Sequence, residues 1–293
     1  ASGVVASLNK AGHDAITLPM YLPLTLNGET NPDLPVFYGA VNIYLKQYPV
    51  FRHMPRWFEK LMDSPPVLKF AAKKSGSTRA SGLEDLTESM LLGEKGHQGE
   101  ELQQLVDFLR YHEKPDIVHV SNALLLGMAK KVRDEVKVPV VCSLQDEDVW
   151  VDAMHEDHRE RMWQLLAEKG KDVDAFIAVS DFFAGVMQEK MNIPGEKLHV
   201  LHVGVRPDSY VYSKPASNPQ AIGYVSRMCE ENGFEVLVDA FILLKKNPAF
   251  STLKLKATGG QTGDDTKFIH KQISKLKQNN IDRDFEITHD FTQ

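Results

Sequence analysis

One short passage concentrates groups able to hold an anion. In AIGYVSRMCEENGFEVLVDAF (residues 221–241) an apolar run ends just before Arg227, a short loop follows, and Gly233 opens a helix. A helix N-terminus presents unbonded N–H groups and the positive end of a dipole, and a neighbouring guanidinium can grip phosphate oxygens in two places, so this spacing suits a diphosphate. Pairing of Arg227 with Glu230, Glu231 or Glu235 is the competing use of the same charge. Asp146-Glu147-Asp148 carries two spaced carboxylates of the kind that hold a divalent cation, with capping of the following helix as the alternative. His155 and His158 stand three apart on one helical face, but no third ligand is near in sequence, so a solvated helix start is expected. Cys142 and Cys229 lie in apolar segments without an activating histidine and read as packed thiols. His119 lies inside an apolar strand and reads as a core histidine, whereas His202 sits where a strand gives way to a loop. No Walker sequence, GxSxG elbow or GxGxxG is present, and Gly259-Gly260 alone is a weak phosphate-loop signal.

The elements that must position these groups alternate. PDIVHVSN, VPVVCSLQD (138–146), DAFIAVS (174–180) and KLHVLHVGV (197–205) are near-continuous apolar runs bounded by turn formers, the pattern of strands buried on both faces. ALLLGMAKKVRDE, RMWQLLAEKG and DFFAGVMQEKMNI, which separate them, have helical spacing. Parallel strands need such crossovers, so the expected fold is α/β with a doubly wound, Rossmann-like parallel sheet, whose ligands lie beyond the strands' carboxyl ends. Residues 206–219, RPDSYVYSKPASNP, have linker composition, and strand–helix logic resumes with AIGYVSR, STLKLKATGG, KFIHKQISKLKQNN and DFEITHD. The expected organisation is a first domain over 1–206, a linker over 207–219 and the first part of a second Rossmann-like domain over 220–293. Upstream, Val4, Val5, Leu8 and Ala11 predict a helix, a glycine cap and a strand at Ala15–Leu18. A short strand is expected near Val36–Tyr38, and Leu102, Leu105, Val106 and Leu109 predict one helical face.

With 293 residues, 42% hydrophobic and 25% charged, the chain excludes collagen-like and largely disordered classes, and two domains are expected. The net charge of −6 argues against a protein that binds nucleic acid over its whole surface. Residues 46–79 run against that balance, with eight Lys and Arg against Glu59 and Asp63. Interleaved with Phe51, Trp57, Phe58 and Phe70, this stretch suggests a surface attracting an acidic sugar, a phosphorylated compound or an anionic lipid headgroup, with a solvated helical face as the alternative. Only two cysteines, no run of 18 apolar residues and no export-signal pattern in the first fourteen residues favour a cytoplasmic placement, with contact at the inner membrane face.

The order and spacing of four segments resemble the retaining nucleotide-sugar glycosyltransferases of glycosyltransferase family 4, which have the two-Rossmann-domain GT-B architecture. PDIVHVSN and VPVVCSLQD resemble late strands of that family's first domain, and DVDAFIAVSDFFAGVM with LHVLHVGV resembles its passage into the linker. AIGYVSRMCEENGFEVLVDAF with LKLKATGG resembles the opening of its donor-binding domain. The resemblance implies an enzyme that moves a sugar from a nucleoside diphosphate sugar to a carbohydrate or lipid-linked acceptor with retention, without metal or other cofactor. It places the donor diphosphate at Arg227, Asn232 and Gly233, with Gly204, Val205, Gly259 and Gly260 in donor-side loops. Gln145 and Asp146 become the candidate catalytic residues facing the sugar. The family carries a lysine at the position of Asn232 and often a histidine at that of Gln145, so one cation and one imidazole are missing here. Its first strand and glycine-rich loop would precede Ala1, and its paired glutamates would follow Gln293, so truncation at both ends is expected. A nucleotide-sugar epimerase or hydrolase, and a two-lobed sugar- or nucleotide-binding protein without turnover, are the competing readings.

Overall fold

In this computed structural model the described residues are 2–18, 20, 25–26, 29–30, 82–204, 220–260 and 265–288. The chain divides into two compact units, one of residues 1–74 and 78–207, the other of 75–77 and 208–293. The expected linker at 207–219, the strand near Val36–Tyr38 and the basic stretch 46–79 lie outside the described residues, as does Val205.

The first unit contains helix α1 (Ser2–Lys10), α2 (Glu84–Leu92), α3 (Gly99–Phe108), strand β1 (Val118–Ser121), β2 (Val140–Leu144), α4 (Glu147–Asp152), α5 (Glu156–Gly170), β3 (Ala175–Ala178), α6 (Asp181–Met191) and β4 (Leu198–Val200). A two-residue antiparallel ladder, Thr25–Leu26 with Glu29–Thr30, precedes α2. The sheet order is β1-β2-β3-β4, parallel throughout, with Val120 opposite Cys142, Cys142 opposite Phe176 and Ala178 opposite Val200. Between β1 and β2 the crossover is an irregular helical passage over 123–136 rather than one straight helix. Val140, Cys142, Leu144, Phe176 and Ala178 are buried among Leu102, Leu126, Met162, Leu166 and Met187 from the helices. Each such large apolar side chain removed from water contributes ~2 kcal/mol.

The second unit has β5 (Ala221–Val225), α7 (Phe234–Lys245), β6 (Lys254–Thr258), α8 (Asp265–Gln278) and β7 (Phe285–Thr288), in the parallel order β5-β6-β7. Phe234, Val238, Phe241, Ile269 and Leu276 pack on Leu255 and Ala257 to make its core. Both sheets are thus the parallel α/β arrangement expected from the alternation.

Several local expectations are corrected. Ala15–Leu18 forms no strand: the Asn9 side chain accepts from Ala15 N at 2.7 Å and donates to Ala15 O at 3.0 Å, taking the groups a ladder would need. β1 is not buried on both faces: Val120 is buried while His119 and Ser121 on the other face are exposed. β5 is likewise half-covered: Ile222 and Tyr224 pack on the core while Ala221, Gly223 and Val225 face outward. Among its described residues the 197–205 run supplies three strand residues, Leu198–Val200, and Leu201 and Val203 are exposed. The helical run before β1 is broken at Gly93, whose φ of +61° and contact with Gly127 O leave no room for a side chain.

Candidate functional site

Each unit gathers polar groups at the carboxyl end of its own sheet. In the first, β2 ends at Leu144, Gln145 and Asp146 are exposed, and Asp146 takes a left-handed φ of +57° before α4 begins. That turn sends the next side chain inward. Glu147 is fully buried, and its carboxylate accepts from Ala123 N at 2.9 Å and from Gln145 N at 2.7 Å. Asn122, just past β1, donates from Nδ2 to Gln145 O at 3.0 Å and accepts from Leu124 N at 3.2 Å. The loop after β1 and the loop after β2 are therefore laced together through both peptide groups of Gln145. Burial pushes the Glu147 carboxyl up to about 7, despite the N–H groups of Ala123, Glu147 and Gln145 pulling down; the Asp146 charge adds to the rise.

The remaining sequence candidates of this unit fall into place around that edge. His119 is not a core histidine: it is exposed, with Nε2 2.8 Å from Ser143 Oγ. Ser180 caps α6 by accepting from Phe183 N at 3.1 Å. His202 Nδ1 lies 3.3 Å from Val179 O, joining the loops after β3 and β4, and Gly204 is exposed with open space around its Cα. Cys142 and Cys229 are both buried, and burial pushes both thiols up, which leaves them poor nucleophiles at neutral pH. His155 is exposed and contacts Glu84 Oε1 at 2.7 Å, and no metal-holding cluster of His, Cys, Asp or Glu occurs among the described residues.

In the second unit Arg227 follows β5 as expected, and Gly233 adopts a left-handed φ of +71° immediately before α7. The Arg227 guanidinium is engaged by a carboxylate of its own unit. Its Nε donates to Asp265 Oδ2 at 2.9 Å and its Nη2 to Asp265 Oδ1 at 2.9 Å, a bidentate pair with the first residue of α8. The three glutamates weighed from sequence are not the hydrogen-bonding partners in this pair. Arg227 nevertheless keeps 48% of its side chain exposed, against 8% for Asp265, so the pair lies open on the arginine side. Asn232 stands where a second cation was sought, and its amide instead braces the loop, donating to Ser226 Oγ at 3.0 Å and Arg227 O at 3.2 Å. Tyr224 Oη donates to Arg227 O at 2.9 Å. Gly259 is required by packing: a Cβ there would lie 1.7 Å from Ser226 O. Gly260 O accepts from Met228 N at 3.3 Å, so the two glycines hold the Arg227 loop against β6.

Sequence reasoning placed Asn122 and Glu147 at the strands' carboxyl ends without giving either a role of its own, and it did not single out Asp265. Glu147 carried a usable signal, an acidic side chain in the first turn of a helix directly after a buried strand. Asp265 lies 38 residues from Arg227 and had no local signal.

Two parallel α/β units with polar loops at the strands' carboxyl ends define a Rossmann-like fold of the GT-B glycosyltransferase kind. Residues 91–209 match the family described as Glycosyltransferase Family 4, so the resemblance drawn from sequence holds over that stretch. Among solved structures, HepE of Anabaena in complex with UDP is similar at 13% identity and a TM-score of 0.53, over 65% of this chain and 51% of that one. The same protein in complex with UDP and glucose is similar at 13% identity and a TM-score of 0.52, over 66% and 52%. OtsA in its apo form is similar at 12% identity and a TM-score of 0.51, over 67% and 53%. The chain thus spans about half the length of these structures, and the likeness is one of fold. No curated protein matches the chain. Among the described residues no helix is long and apolar enough to cross a membrane.

Proposed function

We propose that the chain belongs to a glycosyltransferase that moves a sugar from a nucleoside diphosphate sugar to a carbohydrate or lipid-linked acceptor with retention of configuration. The observation that carries this reading is the family 4 match over 91–209, on a parallel α/β unit whose strand ends present polar loops. The HepE structures, which contain UDP with and without glucose, support a uridine nucleotide as the first donor to try.

In this reading the second unit takes the diphosphate. Charge builds on the leaving phosphate as the anomeric carbon gains oxocarbenium character, and a preset cation beside helix N–H groups stabilises it without metal. Arg227 supplies the cation, and the start of α7 after Gly233 supplies the N–H groups. Asp265 lowers the local net charge but holds the guanidinium plane in one orientation. Gln145 and Asp146 face the transferring sugar, Gln145 through amide hydrogen bonds and Asp146 through an exposed carboxylate. Gly204, Val205, Gly259 and Gly260 border the donor, and residues 46–79 form the acceptor side, reaching an anionic membrane surface from the cytoplasm.

A binding protein without turnover is favoured by one specific observation. Asn232 is spent on bracing the loop where a second phosphate-binding cation would stand. Incubation with a panel of nucleoside diphosphate sugars, read by melting shifts and product analysis, separates the readings. Transfer to an acceptor supports the proposal, release of free sugar indicates a hydrolase, and a melting shift without product indicates a binding protein.

A further inference from the structure

The feature of the first unit that the proposed chemistry leaves unused is its fully buried carboxylate. Glu147 is closed off from solvent, and both of its oxygens are committed, one to Ala123 N and one to Gln145 N. These two N–H groups belong to different loops, one after β1 and one after β2. A third link, Asn122 Nδ2 to Gln145 O, crosses the same gap in the opposite sense. Gln145 therefore has its N–H and its C=O both tied by side chains, while its own side chain is exposed. Its neighbour Asp146 is held in a left-handed conformation that a residue other than glycine adopts at a cost of ~1 kcal/mol. A strained turn at a strand's carboxyl end persists where surrounding groups over-determine it, and Glu147 with Asn122 does so here.

We infer that Glu147 is a positioning residue, whose buried carboxylate clamps the loop after β2 to the loop after β1 and so fixes the direction in which Gln145 and Asp146 project. The inference rests on the proposed role of Gln145 and Asp146 toward the sugar. A carboxylate suits this clamp better than an amide because it accepts at both oxygens, whereas glutamine accepts at one and presents an N–H₂ to the other N–H. The charged group beside it is Asp146 in the adjoining turn, unfavourable to its ionised form, while the buried Cys142 thiol on β2 stays neutral. Ionisation near neutral pH then tightens the clamp, since hydrogen bonds to a charged acceptor are the stronger ones.

The test compares the wild-type chain with Glu147→Gln and Glu147→Asp by amide NMR and by binding of UDP and UDP-glucose. In Glu147→Gln the amide of Ala123 or of Gln145 should exchange at least tenfold faster, with exchange in β3 and α6 unchanged. The Gln145 amide shift of the wild type should titrate with a midpoint near neutral pH, and that titration should vanish in the variant. UDP affinity should stay within twofold of wild type, while any affinity gained from the glucose should fall several-fold. Glu147→Asp retracts the carboxylate by one methylene and should loosen the same amides while keeping a titration. Unchanged exchange at both amides in both variants, with no titration in wild type, overturns the inference. Failure of the underlying reading looks different: the wild type then binds neither UDP nor UDP-glucose, while the amide readout still decides the clamp.

Discussion

Replacing Gly259 by alanine is the sharpest perturbation of the Arg227 loop, because the added methyl has nowhere to go. Its Cβ would stand 1.7 Å from Ser226 O, 2.5 Å from Ser226 C and 3.3 Å from Arg227 N, all backbone atoms. No side-chain rotation relieves that overlap, so β5's exit or β6's exit must move by more than an ångström. The links that set their separation are Ser226 N to Thr258 O at 3.2 Å and Met228 N to Gly260 O at 3.3 Å, while Gly259 N to Thr288 O at 3.3 Å ties the β6 exit to β7. Losing two such bonds costs ~1 kcal/mol each, and the residual overpacking adds ~1–2 kcal/mol, for a total of ~3–4 kcal/mol. The loss falls on the second unit, which has no tryptophan, so hydrogen exchange of the α7 amides (Phe234–Lys245) in mild urea is the suitable assay. Opening of α7 should become at least a hundredfold more frequent, whereas α5 and α6 in the first unit should keep wild-type protection. Protection of α7 within threefold of wild type would refute the close approach of Gly259 to Ser226 and the reasoning built on it.

Two buried carboxylates should respond to pH with opposite signs. Burial would raise the Glu84 carboxyl, but its own N–H, His155 and the Gly82 N–H outweigh it and bring it down to about 2, from 4.5. Its contribution is full above pH 4.5 and lost as pH falls toward 2, so the stability gap between wild type and Glu84→Gln in urea should narrow from pH 6 to pH 3. Glu147 is raised from 4.5 to about 7, so its folded state holds a proton that the unfolded chain has released. Wild type should therefore lose ~3 kcal/mol relative to Glu147→Gln between pH 4.5 and pH 7, and urea titrations at pH 5 and pH 8 check it. Ser180→Ala removes the bond from Phe183 N and should cost ~1 kcal/mol, seen as a lower urea midpoint that Ser180→Asp largely restores.

The parts of this molecule that were legible in sequence are those governed by neighbours along the chain. VPVVCSL and DAFIAVS became β2 and β3 because a run of apolar residues flanked by turn formers has one stable use in a sheet covered by helices. Arg227 after β5 and the left-handed Gly233 before α7 were readable for the same reason. What escaped depends on which elements become neighbours in space. PDIVHVSN reads as a buried strand, but in β1 Val120 is buried while His119 and Ser121 on the other face are exposed. The inward turn of Glu147 follows from the left-handed Asp146, a conformation that residue type alone does not announce. Asp265 could not be matched to Arg227 until β5, β6 and α8 were placed, and the three nearer glutamates were equally plausible partners by charge.

The central claim is that the second unit holds a nucleoside diphosphate through Arg227, and calorimetric titration of the wild-type chain and Arg227→Ala with UDP tests it most directly. Removing a charge-assisted bidentate contact of this kind costs ~2–3 kcal/mol, so the dissociation constant should rise roughly 30- to 150-fold in the variant. Equal affinity of the two proteins, or no binding by the wild type, would contradict the account.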